Sequence, residues 1–285
     1  MIQQALGGLV EGGAYAALAV CIVLMYQMLG VLNFAQSGMG ALAACVSLYA
    51  FKTLGWSAWP ATLLAVLAGA VLGAVVGLVM ARFFLETTVV TRSTVTIAFL
   101  VGVIAIGDHI LNGSAYNFPD AFSGKSVSIF NTGVPIGSLI EVGGALLLAV
   151  LVELFLRRTN LGAQLRAMSE RPMTAQLLGI RVRRLTVAVW AFAGAVSAMA
   201  VMFVLPTSTT SFPPLAYLTI YALGAALFGL LRNMTVAAVG GIAIGMLQSI
   251  TLSTSVGRYA QAIPFLIIIV IMVWWRRRDV WSEAR

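Results

Sequence analysis

Charge is scarce in this chain. Only 9% of its 285 residues are charged, with nine acidic residues, one histidine and two cysteines. So little charge cannot clothe a water-soluble globule when 61% of the residues are hydrophobic. The lone histidine, His109, has no second histidine with which to complete a metal site, and no nucleophile stands with a base in register, so neither a membrane hydrolase nor a bound cofactor or metal is expected. Cys21 and Cys45 both fall in apolar runs, where they read as small packing residues rather than a disulfide or metal pair. Met1 to Leu9 lacks a basic stretch and the apolar run that follows is too long for a signal peptide, so the first span is expected to persist in the mature protein.

What fills the chain instead is apolar runs of about twenty residues, the length a helix needs to cross hydrocarbon, without the short alternation of barrel strands. Mean hydropathy is +1.01. The runs predict about nine spans, near 5–26, 35–51, 58–81, 94–112, 137–156, 186–205, 215–231, 234–254 and 260–275. The expected fold is therefore an all-α polytopic transmembrane bundle of about 8–10 spans, forming one domain over residues 1–285. A broken or re-entrant helix near Asn33 or after Pro214 would change the count.

The net charge of +8 is concentrated: eleven of the seventeen basic residues lie in the 157–185 loop or among Arg276, Arg277, Arg278 and Arg285 of the 276–285 tail. That is the positive-inside pattern, and it places the loop, the tail, Arg232, Arg82 and Arg92 on the cytoplasmic side. The central loop has no aromatic residue among its arginines, which argues against nucleic acid as a partner. In the third span Gly69, Gly73 and Gly77 share one helical face, as Gly241 and Gly245 do in the eighth, and predict close helix contact.

Ser123-Gly124-Lys125-Ser126 imitates the end of a phosphate-binding loop, but Pro119 stands where the full pattern needs glycine, so nucleotide hydrolysis is assigned to another subunit. Asp108 and His109 are read as interfacial groups at a helix end, with a proton-coupled carrier as the alternative, and Glu11 and Glu141 are expected to reach headgroups or water. Asn33, Phe34, Gln36 and Ser37 sit between the first two spans. They either cap a half-helix and line a polar path or form a short cytoplasmic turn. Thr94 and Thr96 add hydroxyls to such a path or bond their own helix.

Within the basic loop, Leu161, Leu165 and Met168, then Met173, Leu177 and Ile180, stand at i, i+4, i+7. Two short amphipathic helices follow, the second running from Pro172 to Leu178 with a left-handed stop at Gly179. Such a helix suits either a groove on a partner protein or an anionic lipid surface.

Leu161-Gly162, Arg166-Ala167-Met168-Ser169-Glu170 and Ala175-Gln176-Leu177-Leu178-Gly179-Ile180 resemble the cytoplasmic coupling loop of the branched-chain amino acid ABC importer permeases. Gly30-Val31-Leu32-Asn33-Phe34-Ala35-Gln36-Ser37-Gly38 and the ending Trp274-Trp275-Arg276-Arg277-Arg278 are similar to the same family. The resemblance implies a non-catalytic, multi-pass permease of the bacterial inner membrane. Its implied partners are cytosolic ABC ATPase subunits, a second permease subunit, either a paralogue or itself, a periplasmic substrate-binding protein and membrane lipid. It implies further that Gly162, Arg166, Glu170, Leu177, Leu178 and Gly179 engage the ATPase. The i, i+4 spacing of Arg166 and Glu170 allows them to pair, and the residues' own placement makes Asn33, Phe34, Gln36, Ser37, Thr94 and Thr96 the candidates for the substrate pathway.

Gln36 replaces the histidine usual in the family, and Gly224-Ala225-Ala226-Leu227-Phe228-Gly229 replaces its paired-glycine run. These departures bear on the substrate, for which urea or short amides are the alternatives to branched-chain or related hydrophobic amino acids. An ion-coupled secondary carrier is the rival of another class. It requires carboxylates near a span centre.

Overall fold

A computed structural model describes residues 2–111, 118, 125–129, 132–207, 211–255, 257–263, 265–271 and 273. The 276–285 tail, Trp274, Trp275, Ser123 and Gly124 lie outside the described residues. A short helix α1 (Ile2–Gly7) leads into α2 (Leu9–Leu29), α3 (Gln36–Leu54), α4 (Ala58–Phe83) and α5 (Val89–Leu111). A hairpin of β1 (Ser126–Ile129) and β2 (Thr132–Pro135) precedes α6 (Ile136–Arg158), then α7 (Asn160–Glu170), α8 (Pro172–Leu177) and α9 (Val182–Val204). After a single 3-10 turn come α10 (Phe212–Ala216), α11 (Leu218–Phe228) and α12 (Met234–Leu252).

Seven of these helices, α2 to α6, α9 and α12, are long and apolar enough to cross a membrane. The protein is a multi-pass membrane protein with an all-helical bundle. The expected 215–231 span is instead two pieces, α10 and α11, separated at Tyr217. Pro213 and Pro214 open the first piece, where their missing N–H groups cost nothing. The expected ninth span falls partly outside the described residues. The hairpin was not foreseen: its alternation of Ser126, Val127, Ser128 and Ile129 is short, and it pairs antiparallel with Ser126 opposite Pro135.

Helix α2 is the axis of the bundle, buried on nearly every face from Val10 to Met25 and packed by α6, α9, α11 and α12. Its approach to α12 is backbone on backbone. A Cβ at Gly241 would stand 2.5 Å from the Ala16 nitrogen, and one at Gly245 would overlap Gly12. The α4 glycines do the same against α9: a side chain at Gly73 would overlap the Trp190 carbonyl, and one at Gly69 would come 2.5 Å from the Gly194 carbonyl. Close packing of this kind replaces the hydrophobic drive that helices lose inside lipid.

Local chemistry sets the helix ends. Gly30 and Gly55 terminate α2 and α3 at φ of 61° and 67°, the left-handed conformation that glycine adopts without a Cβ clash. Asn233 begins α12 by accepting the Val236 N–H at 2.9 Å. Between α11 and α12, Leu230 and Leu231 take positive φ values of 49° and 55°, and Gln27 clamps this turn by donating to the carbonyls of Leu231 at 3.3 Å and Arg232 at 2.6 Å.

Candidate functional site

Two places gather the residues singled out by sequence. The first is the joint between α2 and α3. Residues 30–35 leave helical geometry yet remain inside the bundle, where every buried polar group needs a partner. Asn33 Oδ1 accepts the Ala35 N–H at 3.1 Å, and its amide nitrogen donates to Gln36 Oε1 at 3.0 Å. Gln36 in turn donates across to the Ala193 carbonyl of α9 at 3.4 Å. The Phe34 N–H donates to Thr96 Oγ1 at 3.0 Å, while the Thr96 hydroxyl is within 2.7 Å of the Ser93 carbonyl and 3.0 Å of the Leu32 carbonyl.

Ser37 completes the joint against the break between α10 and α11. Its N–H donates to Thr219 Oγ1 at 2.8 Å, the Thr219 N–H donates to Ser37 Oγ at 2.9 Å, and the Ser37 hydroxyl donates to the Ala216 carbonyl at 2.7 Å. Asn33, Gln36, Ser37, Thr96 and Thr219 are all buried. The segment is thus a self-satisfied polar knot tying two interrupted helices together, not an exposed cytoplasmic turn. Phe34 is half-buried at its edge. Thr94 stands apart: it is exposed and bonds the Val90 carbonyl of its own helix at 2.9 Å.

Sequence reasoning missed two members of the knot. Thr219 is a polar residue within an otherwise apolar run just after two prolines, which was the available signal. Arg92 anchors the rim: it donates to the Thr87 carbonyl at 2.7 Å and the Leu29 carbonyl at 2.5 Å, holding the end of α2 against the start of α5. An arginine in the first turn of an apolar span was its signal.

The second place is the basic loop, whose two helices form as expected. Thr159 caps α7 by accepting the Gly162 N–H at 3.0 Å, and Pro172 occupies the first turn of α8. Gly179 ends the second helix at φ 82°, one residue after Leu178. Gly162 is required by proximity: a Cβ there would stand 2.5 Å from the Phe155 carbonyl and would overlap that of Leu156. Leu165 and Met168 turn into the bundle, as does Ala175 of α8.

One expectation fails here. Arg166 does not pair with Glu170; its guanidinium donates to the Leu156 carbonyl near the end of α6, and Glu170 is left exposed without an ion pair. The carbonyl end of a helix carries negative partial charge and draws the cation more effectively than an exposed carboxylate one turn away. Among the described residues the only salt bridge is Arg157 with Glu153, 2.6 Å apart. The arginine therefore fastens α7 to α6.

Facing away from the bundle, Leu177 is 89% exposed and Leu178 74% exposed, with Met173 also exposed. Among the described residues nothing covers this apolar tip. A cavity of about 210 Å³ separates the α7–α8 turn from the polar knot, lined by Met168, Ser169 and Pro172 on one side and by Leu29, Gly30 and Arg92 on the other. Trp190 borders it with an indole N–H that has no hydrogen-bond partner.

The acidic residues are placed differently from expectation in one case. Glu141 does not reach headgroups or water: it is 5% exposed, its side chain lies over Gly13 of α2, and neither carboxylate oxygen has a hydrogen-bond partner. Gly13 provides the recess that makes this burial possible. Asp108 and His109 are exposed near the end of α5, and no cluster of metal-ligating side chains occurs among the described residues. Cys21 and Cys45 are free thiols on different helices.

A comparison with curated proteins returned no match. Among solved structures, the chain is similar to one titled PsaBC from Streptococcus pneumoniae in complex with Fab, with a TM-score of 0.50 and 13% sequence identity over 94% of this chain and 89% of that one. At such low identity the likeness concerns the fold alone. The family described as the permease component of the branched-chain amino acid transport system matches residues 4–272, nearly the whole length. By that match, the chain belongs to the family of branched-chain amino acid transport permeases.

Proposed function

We propose that the protein is the transmembrane permease of an ATP-binding-cassette importer, moving branched-chain or related hydrophobic amino acids into the cell by alternating access. The observation that carries this reading is the outward apolar tip of Leu177 and Leu178 on a loop fastened to the bundle through Gly162 and Arg166. An apolar tip on a stiffly attached arm is suited to insertion in a cleft of an ATPase and to passing its movement on. In this reading ATP hydrolysis belongs to the ATPase subunits, a second permease completes the pathway, and a periplasmic protein delivers the substrate. The loop and the C-terminal tail face the cytoplasm by the positive-inside pattern.

Movement of the α7–α8 turn would close or open the cavity between it and the end of α2 at Leu29, Gly30 and Arg92, and rigid displacement of α3, α10 and α11 would then shift access. Phe34, at the edge of the polar knot, and Thr94, apart from it on α5, remain candidate pathway residues.

The test is to reconstitute the permease with its ATPase subunits and substitute Arg166→Met and Gly179→Val. ATP hydrolysis should continue while uptake falls about tenfold or more, the loss expected when ~1.4 kcal/mol of coupling is removed. Unchanged uptake in both variants would overturn the assignment of the loop. The second reading, an ion-coupled carrier, would draw on the buried, unpartnered carboxyl of Glu141, although that residue lies near the start of α6 and not at the span centre such a carrier requires. Uptake that survives deletion of the ATPases but stops with a proton uncoupler would select it.

A further inference from the structure

Between α6 and α9 the bundle leaves a slot of about 420 Å³. Leu24 of α2 forms its back, Leu151 and Phe155 of α6 and Phe192 of α9 its sides, and Leu161 and Leu165 of α7 its end. Every lining side chain is apolar. Water in it would find none of the two to four polar partners that hold a buried water, so an aliphatic group is the fitting occupant. Leu151, Phe155, Leu161 and Phe192 all retain exposed surface, so the slot opens sideways out of the bundle, toward hydrocarbon.

The end nearest α7 is basic. Arg157 and Arg158 follow Phe155 and Leu156 directly at the close of α6; Arg157 is engaged by Glu153, whereas Arg158 is exposed and has no ion pair among the described residues. Arg158 follows Leu151 and Phe155 at i+7 and i+3 on the α6 stripe that lines the slot, and an apolar slot continued by an exposed guanidinium matches a molecule with an alkyl tail and an anionic head. Basic sites between transmembrane helices on the cytoplasmic side commonly receive phospholipid headgroups.

We infer that the slot takes an acyl chain of an anionic phospholipid from the loop-side leaflet, with its phosphate held at Arg158. A slot of about 420 Å³ is large enough for a segment of an acyl chain. The chain lies against Leu161 and Leu165, so the lipid supports α7 beside the Arg166 anchor and makes coupling sensitive to membrane composition. That last consequence rests on the function proposed above; the lipid site itself does not.

The test uses the permease assembled with its ATPase subunits in vesicles of phosphatidylglycerol and phosphatidylcholine, each in turn carrying a trace of the same lipid with a photoreactive group at mid-chain. Irradiation should label residues 148–165 and 185–192 preferentially, and more strongly with the phosphatidylglycerol probe. Ala188→Trp, which plugs the slot from α9, should lower that labelling about tenfold, since displacing even two methylenes at ~0.8 kcal/mol each suffices. Leu148→Trp plugs it from α6 and guards against misfolding of the first variant, with thermal unfolding as the check on both. Arg158→Gln should keep the label but erase the preference for the anionic probe. Labelling spread evenly over the outer helices, or unchanged in both plugged variants, would overturn the inference. So would efficient cross-linking of Leu151→Cys between two copies of the chain, which would put protein rather than lipid in the slot. Site-specific labelling together with uptake that ignores the ATPases would leave the lipid site standing and refute the coupling function instead.

Discussion

Ser37 and Thr219 cap one another's helices. Each donates its backbone N–H to the other's hydroxyl oxygen, at 2.8 and 2.9 Å, and the two hydroxyls lie 2.7 Å apart, although the residues come from α3 and α11. Each hydroxyl thus satisfies one of the orphan donors at the other helix's first turn, in a place no water reaches.

Ser37→Ala should therefore cost about 1–3 kcal/mol, because it leaves the Thr219 N–H and the Ala216 carbonyl buried without their partner. Thermal unfolding of the purified protein in detergent reads the loss. Combined with Thr219→Val, the total should fall short of the sum of the two single effects by at least about 0.5 kcal/mol, the signature of a shared interaction.

The glycine faces make a sharper comparison. Gly73→Ala places a methyl against the Trp190 carbonyl and should destabilise by about 1–3 kcal/mol or reduce the yield of folded protein. Gly102 has open space where its Cβ would go, so Gly102→Ala should be neutral or should stabilise α5 by up to ~1 kcal/mol. Melting temperatures of the two variants, measured side by side, check both signs.

Leu177→Asp tests the exposed tip without touching the core. Leu177 is 89% exposed, so the melting temperature of the isolated permease should stay within the range of surface substitutions, about ±0.5 kcal/mol in stability. Its affinity for the ATPase should drop about tenfold or more, as expected when an apolar anchor of ~2 kcal/mol is replaced by a charge. Co-purification and titration with the ATPase subunit separate the two effects.

Glu141 is held among helices with both carboxylate oxygens unpartnered. Glu141→Met retains the volume and removes the buried polar group, and should raise stability by about 1–3 kcal/mol. Glu141→Ala also removes the polar group but leaves a cavity, so it should gain less than the Met variant. A thermal melt that falls for Glu141→Met would show that the carboxyl has a stabilising partner.

Much of this architecture was legible before any coordinates. The 3.6-residue spacing of Leu161, Leu165 and Met168, the proline at 172 and the glycine at 179 were local signals, and local signals survive folding. The glycine register in α4 and α12 was legible for the same reason. What could not be read was every relation between distant segments. Arg166 had a sequence neighbour, Glu170, that looked like its partner, but the carbonyl that holds it belongs to the preceding helix. Thr219 meets Ser37 across 182 positions of chain, and no period in the sequence encodes that meeting. Glu141 lies near a span end, where solvent contact is the ordinary outcome; its burial depends on Gly13 of another helix leaving a recess. The polar knot itself was visible as an anomaly between two apolar runs, while its closure into a set of mutually satisfied bonds was not.

The central position of α2 has a consequence for assembly. All four helices that enclose it, α6, α9, α11 and α12, lie later in the chain, and its Gly12 face fits the backbone of the last of them. During synthesis from the N-terminus this helix enters the bilayer ahead of every neighbour it needs. Gly13 is covered once α6 brings Glu141, but Gly12 stays uncovered until α12 arrives, so the helix made early is among the last to be locked, and completion of the bundle waits on its C-terminal third.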